Sequence, residues 1–132
     1  MKLDLNILSE ISNIRTVEKT IDKISTSHSI NSDAYGKILI ATIEAVNNAI
    51  IHGNKTDNNK YVNVGFEVAE NNLTITVCDE GKGFNHESIP DPTAPENIEN
   101  INGRGVFLMK RLADDISFNS DGNVVKMKFN IV

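Results

Sequence analysis

The sequence predicts an α+β fold, and three observations carry that prediction. Apolar residues recur at spacings of three and four in two long stretches, as they do in helices packed on one side. Alternating segments meet at short polar turns, as they do in antiparallel hairpins. The 132 residues, 39% hydrophobic and 23% charged, suit one domain with a core of its own.

The elements follow in order. Leu3, Leu5 and Ile7 alternate with polar neighbours and read as a short, half-buried first strand. Ser9 or Ser12 then reads as a helix cap, and Ile14, Val17, Ile21 and Ile24 place one face of a first helix inward. Ser32 is expected to cap a second helix that runs to about Ile51 and stops at His52-Gly53-Asn54. Tyr61 to Ala69 and Leu73 to Cys78 form a hairpin across Glu70-Asn71-Asn72. Asp79 to Gly105 is rich in glycine, holds all three prolines and has no period, so it reads as a long functional loop. A last helix presents Val106, Leu108, Met109 and Leu112, and two closing strands, Asp115 to Asn119 and Asn123 to Val132, turn at Ser120-Asp121-Gly122.

Composition excludes several classes of function. Thirteen Lys and Arg against eighteen Asp and Glu give a formal charge of -5, which offers no general field to nucleic acid or an anionic membrane. The one cysteine, Cys78, lies in the apolar run Leu73 to Cys78, reads as core, and can make neither an internal disulfide nor a metal cage. The polar start, Met1-Lys2-Leu3-Asp4, is no signal-peptide core, and no apolar run approaches the roughly 18 residues of a membrane span. A cytoplasmic protein is expected.

Three constellations carry chemistry. On the second helix Lys37, Glu44, Asn48 and His52 are spaced seven, four and four apart, one polar row between two apolar stripes. A carboxylate and a carboxamide one turn apart suit a hard cation such as Mg²⁺, although the pair alone also describes a solvated helix face. Asp79-Glu80-Gly81-Lys82-Gly83 follows directly on a strand. There an Asp can accept a hydrogen bond from an exocyclic amine while glycines let a flat ring approach, although the same letters make simple turns. Asn102-Gly103-Arg104-Gly105-Val106 leads into the last helix, where free N–H groups, the helix dipole and an arginine suit phosphate, although a plain loop reads the same way.

The order and spacing of all three resemble the N, G1 and G2 boxes of the GHKL ATPase superfamily, which includes gyrase, histidine kinases and mismatch-repair ATPases. The run Glu44-Ala45-Val46-Asn47-Asn48-Ala49-Ile50-Ile51-His52-Gly53 looks most like the stand-alone anti-sigma-factor serine kinases of bacterial partner-switching systems.

That resemblance implies a two-layer α/β sandwich, with a mixed, mostly antiparallel sheet covered on one face by helices. It implies one domain over residues 1–132, with an ATP lid at about 85–104. ATP and Mg²⁺ are the implied cofactors. Glu44 and Arg104 are the implied catalytic residues. Asn48, Asp79, Gly81, Gly83, Gly103, Gly105 and Val106 would bind the nucleotide, with Asn48 as the metal ligand. The implied activity is serine/threonine kinase action on an anti-sigma-factor antagonist, alternating with sequestration of a sigma factor or similar regulator. A non-catalytic ATP-gated switch and an ATPase module of a signalling system are the alternatives.

With no further domain in the sequence, a partner is expected to supply the output. Arg15 on the first helix reads as a surface arginine, and an edge strand carrying Leu3, Leu5 and Ile7 would suit a homodimer. Two features depart from the family. Where many relatives carry a threonine in the last hairpin, this chain offers Asn123 or no counterpart, and its lid is rich in proline and acidic residues.

Overall fold

The computed structural model describes residues 1–81, 101–119 and 121–132, the first four residues of the last helix by their backbone. The elements are β1 (Lys2–Leu8), α1 (Ile14–Ser27), α2 (Ser32–Asn47), β2 (Tyr61–Ala69), β3 (Asn72–Cys78), α3 (Ile101–Leu112), β4 (Asp115–Phe118) and β5 (Val124–Asn130). One sheet has the order β1-β2-β3-β5-β4, and all four of its ladders are antiparallel. The expected α+β class holds, and the sheet is antiparallel throughout rather than mixed.

The pleat sorts the side chains, because successive residues of a strand face opposite ways. Register aligns Leu5, Val64, Val77 and Val125 in one row across β1, β2, β3 and β5, and Leu3, Phe66, Ile75 and Met127 in the next. Both rows lie on the helix-covered face, where Val64, Val77, Val125, Phe66, Ile75 and Met127 pack in one core with Ile21, Ile38, Val46 and Met109, while Leu3 on the edge strand stays exposed. The other face is polar: Asn63, Thr74, Thr76, Lys126 and Lys128 lie there. Cys78 shares that outer parity, so it is half-buried on the open face and not in the core. Burial pushes its thiol upward, with Asp79 and Glu80 adding to the rise.

Helix α1 buries Ile14, Val17, Ile21 and Ile24, the face read from their spacing, and Thr20 beside them. The caps fall elsewhere than expected. A short 3₁₀ turn, Ile11–Asn13, precedes α1, and no side chain caps that helix. Ser9 is instead fully buried, its hydroxyl donating to the Lys60 carbonyl at 2.8 Å. At α2 the cap is Asn31, whose Oδ1 accepts from Ala34 N at 2.9 Å; an extended residue one position earlier than Ser32 has the right geometry to reach back. Helix α3 starts at Ile101, so Gly103 to Gly105 lie within the helix and not in a loop ahead of it. Nearly all of the expected lid lies outside the described residues. Among the described residues, no helix is long and apolar enough to cross a membrane.

Candidate functional site

Helix α2 does not end as an ordinary helix. Asn48–Gly53 forms a π turn, closed by Asn54 N donating to Ala49 O at 2.8 Å, five residues back rather than four. The chain then bends sharply, with Lys55 and Thr56 both at positive φ (54° and 57°), and Thr56 N returns to Ile50 O at 2.7 Å. Left-handed backbone is unusual for a β-branched residue and marks a segment held by its surroundings.

Beneath this turn lies a cavity of about 520 Å³. Ala45, Asn48, Ala49, Ile51, His52, Gly53 and Lys55 form its helical wall, Val77 and Asp79 its floor at the end of β3. Met109 of α3 and Phe118, Gly122, Asn123 and Val125 of the last hairpin complete it. Mixed apolar and polar walls around a cavity of this size fit a small-molecule ligand. The walls Ala45, Ala49, Val77 and Val125 carried no signal in the sequence beyond being apolar.

Asp79 is the polar anchor of the floor. Its Oδ1 accepts from Gly81 N at 2.7 Å, and its main-chain N donates to Asn123 O at 3.0 Å. The carboxylate lies so close to Gly53 that a Cβ there would stand 2.3 Å from Oδ2, and a Cβ on Gly81 would stand 2.1 Å from Gly53 O. Both positions therefore require glycine for room, which is why Gly53 does more than stop a helix. Partial burial pushes the Asp79 pKa up, partly opposed by the Gly81 hydrogen bond and by Lys60.

Asn123 buttresses this floor. Its Nδ2 donates to Gly81 O at 3.3 Å, and its Oδ1 accepts from Asn119 Nδ2 at 2.6 Å.

The other pole is Glu44 with Asn48, one turn apart on α2 as their spacing predicts. Both side chains face Gly105 of α3: a Cβ there would meet Glu44 Oε2 at 3.0 Å and Asn48 Oδ1 and Nδ2 at 3.3 and 3.4 Å. Asn48 reaches the cavity, whereas Glu44 is not among its lining residues. The Asn48 Nδ2 atom is buried and has no hydrogen-bond partner among the described residues. Such an amide costs about 1–3 kcal/mol until something satisfies it. An amide oxygen beside a carboxylate is a donor set that magnesium accepts alongside phosphate and water, so these residues fit that ion.

Gly105→Ala is expected to press on both side chains and lower phosphotransfer roughly tenfold, about 1.4 kcal/mol, with little change in thermal stability. Parallel assays of rate and melting temperature check it.

Of the remaining expected site residues, Gly103 and Arg104 fall in the first turn of α3, and Gly83 lies outside the described residues. Val106 is fully buried in the core; its side chain does not line the cavity. Among the described residues no three His, Cys, Asp or Glu side chains gather into a metal cluster.

A serine-protein kinase RsbW of Oceanobacillus iheyensis is 27% identical over 114 residues, covering 82% of this chain and 72% of that protein. A serine-protein kinase RsbW of Staphylococcus aureus is 26% identical over 129 residues, covering 92% of this chain and 81% of that protein. The solved structure of the RsbU and RsbW domains of Rv1364c from Mycobacterium tuberculosis matches 98% of this chain with a TM-score of 0.68 and 18% identity. That match spans 31% of the longer chain and shows the likeness of fold. The model of the histidine kinase-like ATPase domain matches residues 7–129, from β1 to the last residues of β5, and the chain belongs to that family.

Proposed function

We propose that this chain is an ATP-dependent serine/threonine protein kinase of the anti-sigma-factor type, acting in the cytoplasm as a single domain over residues 1–132. The observation that carries the reading is the cavity itself, with Asp79 on its floor and Asn48, beside Glu44, in its wall. The names of the RsbW relatives support the choice of a protein hydroxyl as acceptor.

In this reading Asp79 accepts a hydrogen bond from the exocyclic amine of adenine, and Gly81 and Gly83 leave room for the ring beside it. Asn48 holds magnesium through its amide oxygen; the ion, when bound, neutralises charge on the phosphate oxygens. Gly103 and Arg104, in the first turn of α3 and at the end of a lid at about 85–104, face the phosphates; Gly105 leaves room beside Glu44 and Asn48, and Val106 packs behind them in the core. Glu44 orients the acceptor serine and takes its proton as the hydroxyl oxygen bonds to the γ-phosphorus and the bond to ADP breaks. The acceptor is an anti-sigma-factor antagonist, and the alternate partner is a sigma factor or similar regulator. Pairing through β1 makes a homodimer.

The test is incubation with labelled ATP, magnesium and an anti-sigma-factor antagonist. Transfer of label to a serine or threonine of the antagonist is expected. Protein that binds ATP yet leaves the antagonist unlabelled would overturn the kinase reading and leave a nucleotide-gated switch.

A further inference from the structure

We infer that Asn54 is a positioning residue for the nucleotide site, one that sets where Asp79 stands relative to Asn48. This inference rests on the nucleotide-binding reading of the cavity. Asn54 is one of four buried polar residues among those described, only 1% exposed, and does not itself line the cavity.

Every polar atom of Asn54 is used, and its partners come from separate parts of the chain. Its main-chain N closes the π turn on Ala49 O at 2.8 Å, and its carbonyl accepts from Asp57 N at 3.0 Å. The side-chain Nδ2 donates to Ser9 Oγ at 2.8 Å and to Tyr61 O at 3.0 Å. The Oδ1 accepts from Glu80 N at 2.8 Å. A fully satisfied buried amide is stiff, because each partner lost would leave a polar group without water.

The bond to Glu80 distinguishes a positioning role from a merely structural one. Glu80 follows Asp79 directly, and Asp79 itself rests against Gly53, the residue before Asn54. Asn54 therefore ties the end of the helical wall to the floor at the point where the two walls meet. The gap between Asn48 and Asp79, which a nucleotide would have to span, is set by that tie. Asn54 reaches Ser9 as well, but the Ser9 contact leads toward β1 and away from the cavity.

The experiment compares wild type, Asn54→Ala and Ser9→Ala, reading ADP affinity by calorimetry, melting temperature, and KM and kcat for phosphotransfer. Both variants lower the melting temperature, since both break the buried network. Asn54→Ala is expected to weaken ADP binding and raise KM for ATP about tenfold with kcat within about twofold, because Glu44 and Asn48 stay in place; Ser9→Ala leaves affinity within about twofold. Equal affinity in wild type and Asn54→Ala, or equal losses in the two variants, would overturn the inference while leaving the nucleotide reading intact. Absence of ADP binding by wild type would instead overturn that reading and this inference with it. Should Asn54→Ala fail to fold, Asn54→Ser, which empties less of the interior, replaces it in the same comparison.

Discussion

Asp79→Asn is expected to weaken adenine-nucleotide binding by roughly tenfold to a hundredfold, the worth of about 1.5–3 kcal/mol for a hydrogen bond to a charged group. The reason lies in the two carboxylate oxygens. One of them, Oδ1, already accepts from Gly81 N, so an asparagine that keeps this bond must turn its NH₂ toward the ligand. Two donors would then meet where a donor and an acceptor met before. The fold is expected to survive, because the substitution keeps the shape of the side chain and removes the cost of holding a half-buried charge. Calorimetry with ADP, beside thermal unfolding, checks both halves.

The same residue makes a pH prediction. Burial raises the Asp79 pKa, so the folded protein holds this proton at pH values where the unfolded chain has released it. Stability from this group is present below the ordinary carboxylate range and is lost as pH rises through the raised value. Binding runs the other way, since only the ionised form accepts from the adenine amine. ADP affinity should fall on acidification at a pH above the ordinary carboxylate range, and Asp79→Asn should remove that step.

Glu44→Gln is expected to lower kcat for phosphotransfer by about 10²–10⁴, the usual contribution of a general base, with ADP affinity nearly unchanged. The geometry separates the two effects. Glu44 faces Gly105 and is not among the residues lining the cavity, so its removal touches the transferring end and spares the base-binding end. Rapid-quench kinetics at saturating ATP would measure it. A rise in the ADP dissociation constant as large as the fall in kcat would place Glu44 in binding and not in transfer.

What could be read from the sequence and what could not divide along the range of the interactions. The rows of core residues on α1, β2 and β3 were legible because their period is local: 3.6 residues in one case and two in the others. Glu44 and Asn48 were legible as neighbours for the same reason, being one helical turn apart. Ser9 was misread because a serine before a helical pattern signals a cap, whereas its actual partners, Lys60 and Asn54, lie 51 and 45 residues away. The start of α3 was misplaced because Gly103 and Gly105 are weak helix formers, and packing against Glu44 and Asn48 overrides that preference. Cys78 reads as core because it ends the run Leu73 to Cys78, but the pleat that buries Val77 turns its neighbour outward with Thr74 and Thr76. Asn54 looked like helix punctuation, and only the fold shows that its amide meets Ser9, Tyr61 and Glu80.

The π turn at Asn48–Gly53 constrains the length of this segment more tightly than its composition. Each residue of an α-helix advances about 100° around the axis. A chain one residue shorter here would wind as plain α-helix, and everything after Asn48 would arrive rotated by about that angle. Gly53 would no longer lie over the Asp79 carboxylate, and Asn54 would face a different part of the interior. The six residues thus act as a phase shift between two rigid halves of one pocket. A single-residue deletion would therefore dismantle the site at one stroke, as would a side chain at Gly53.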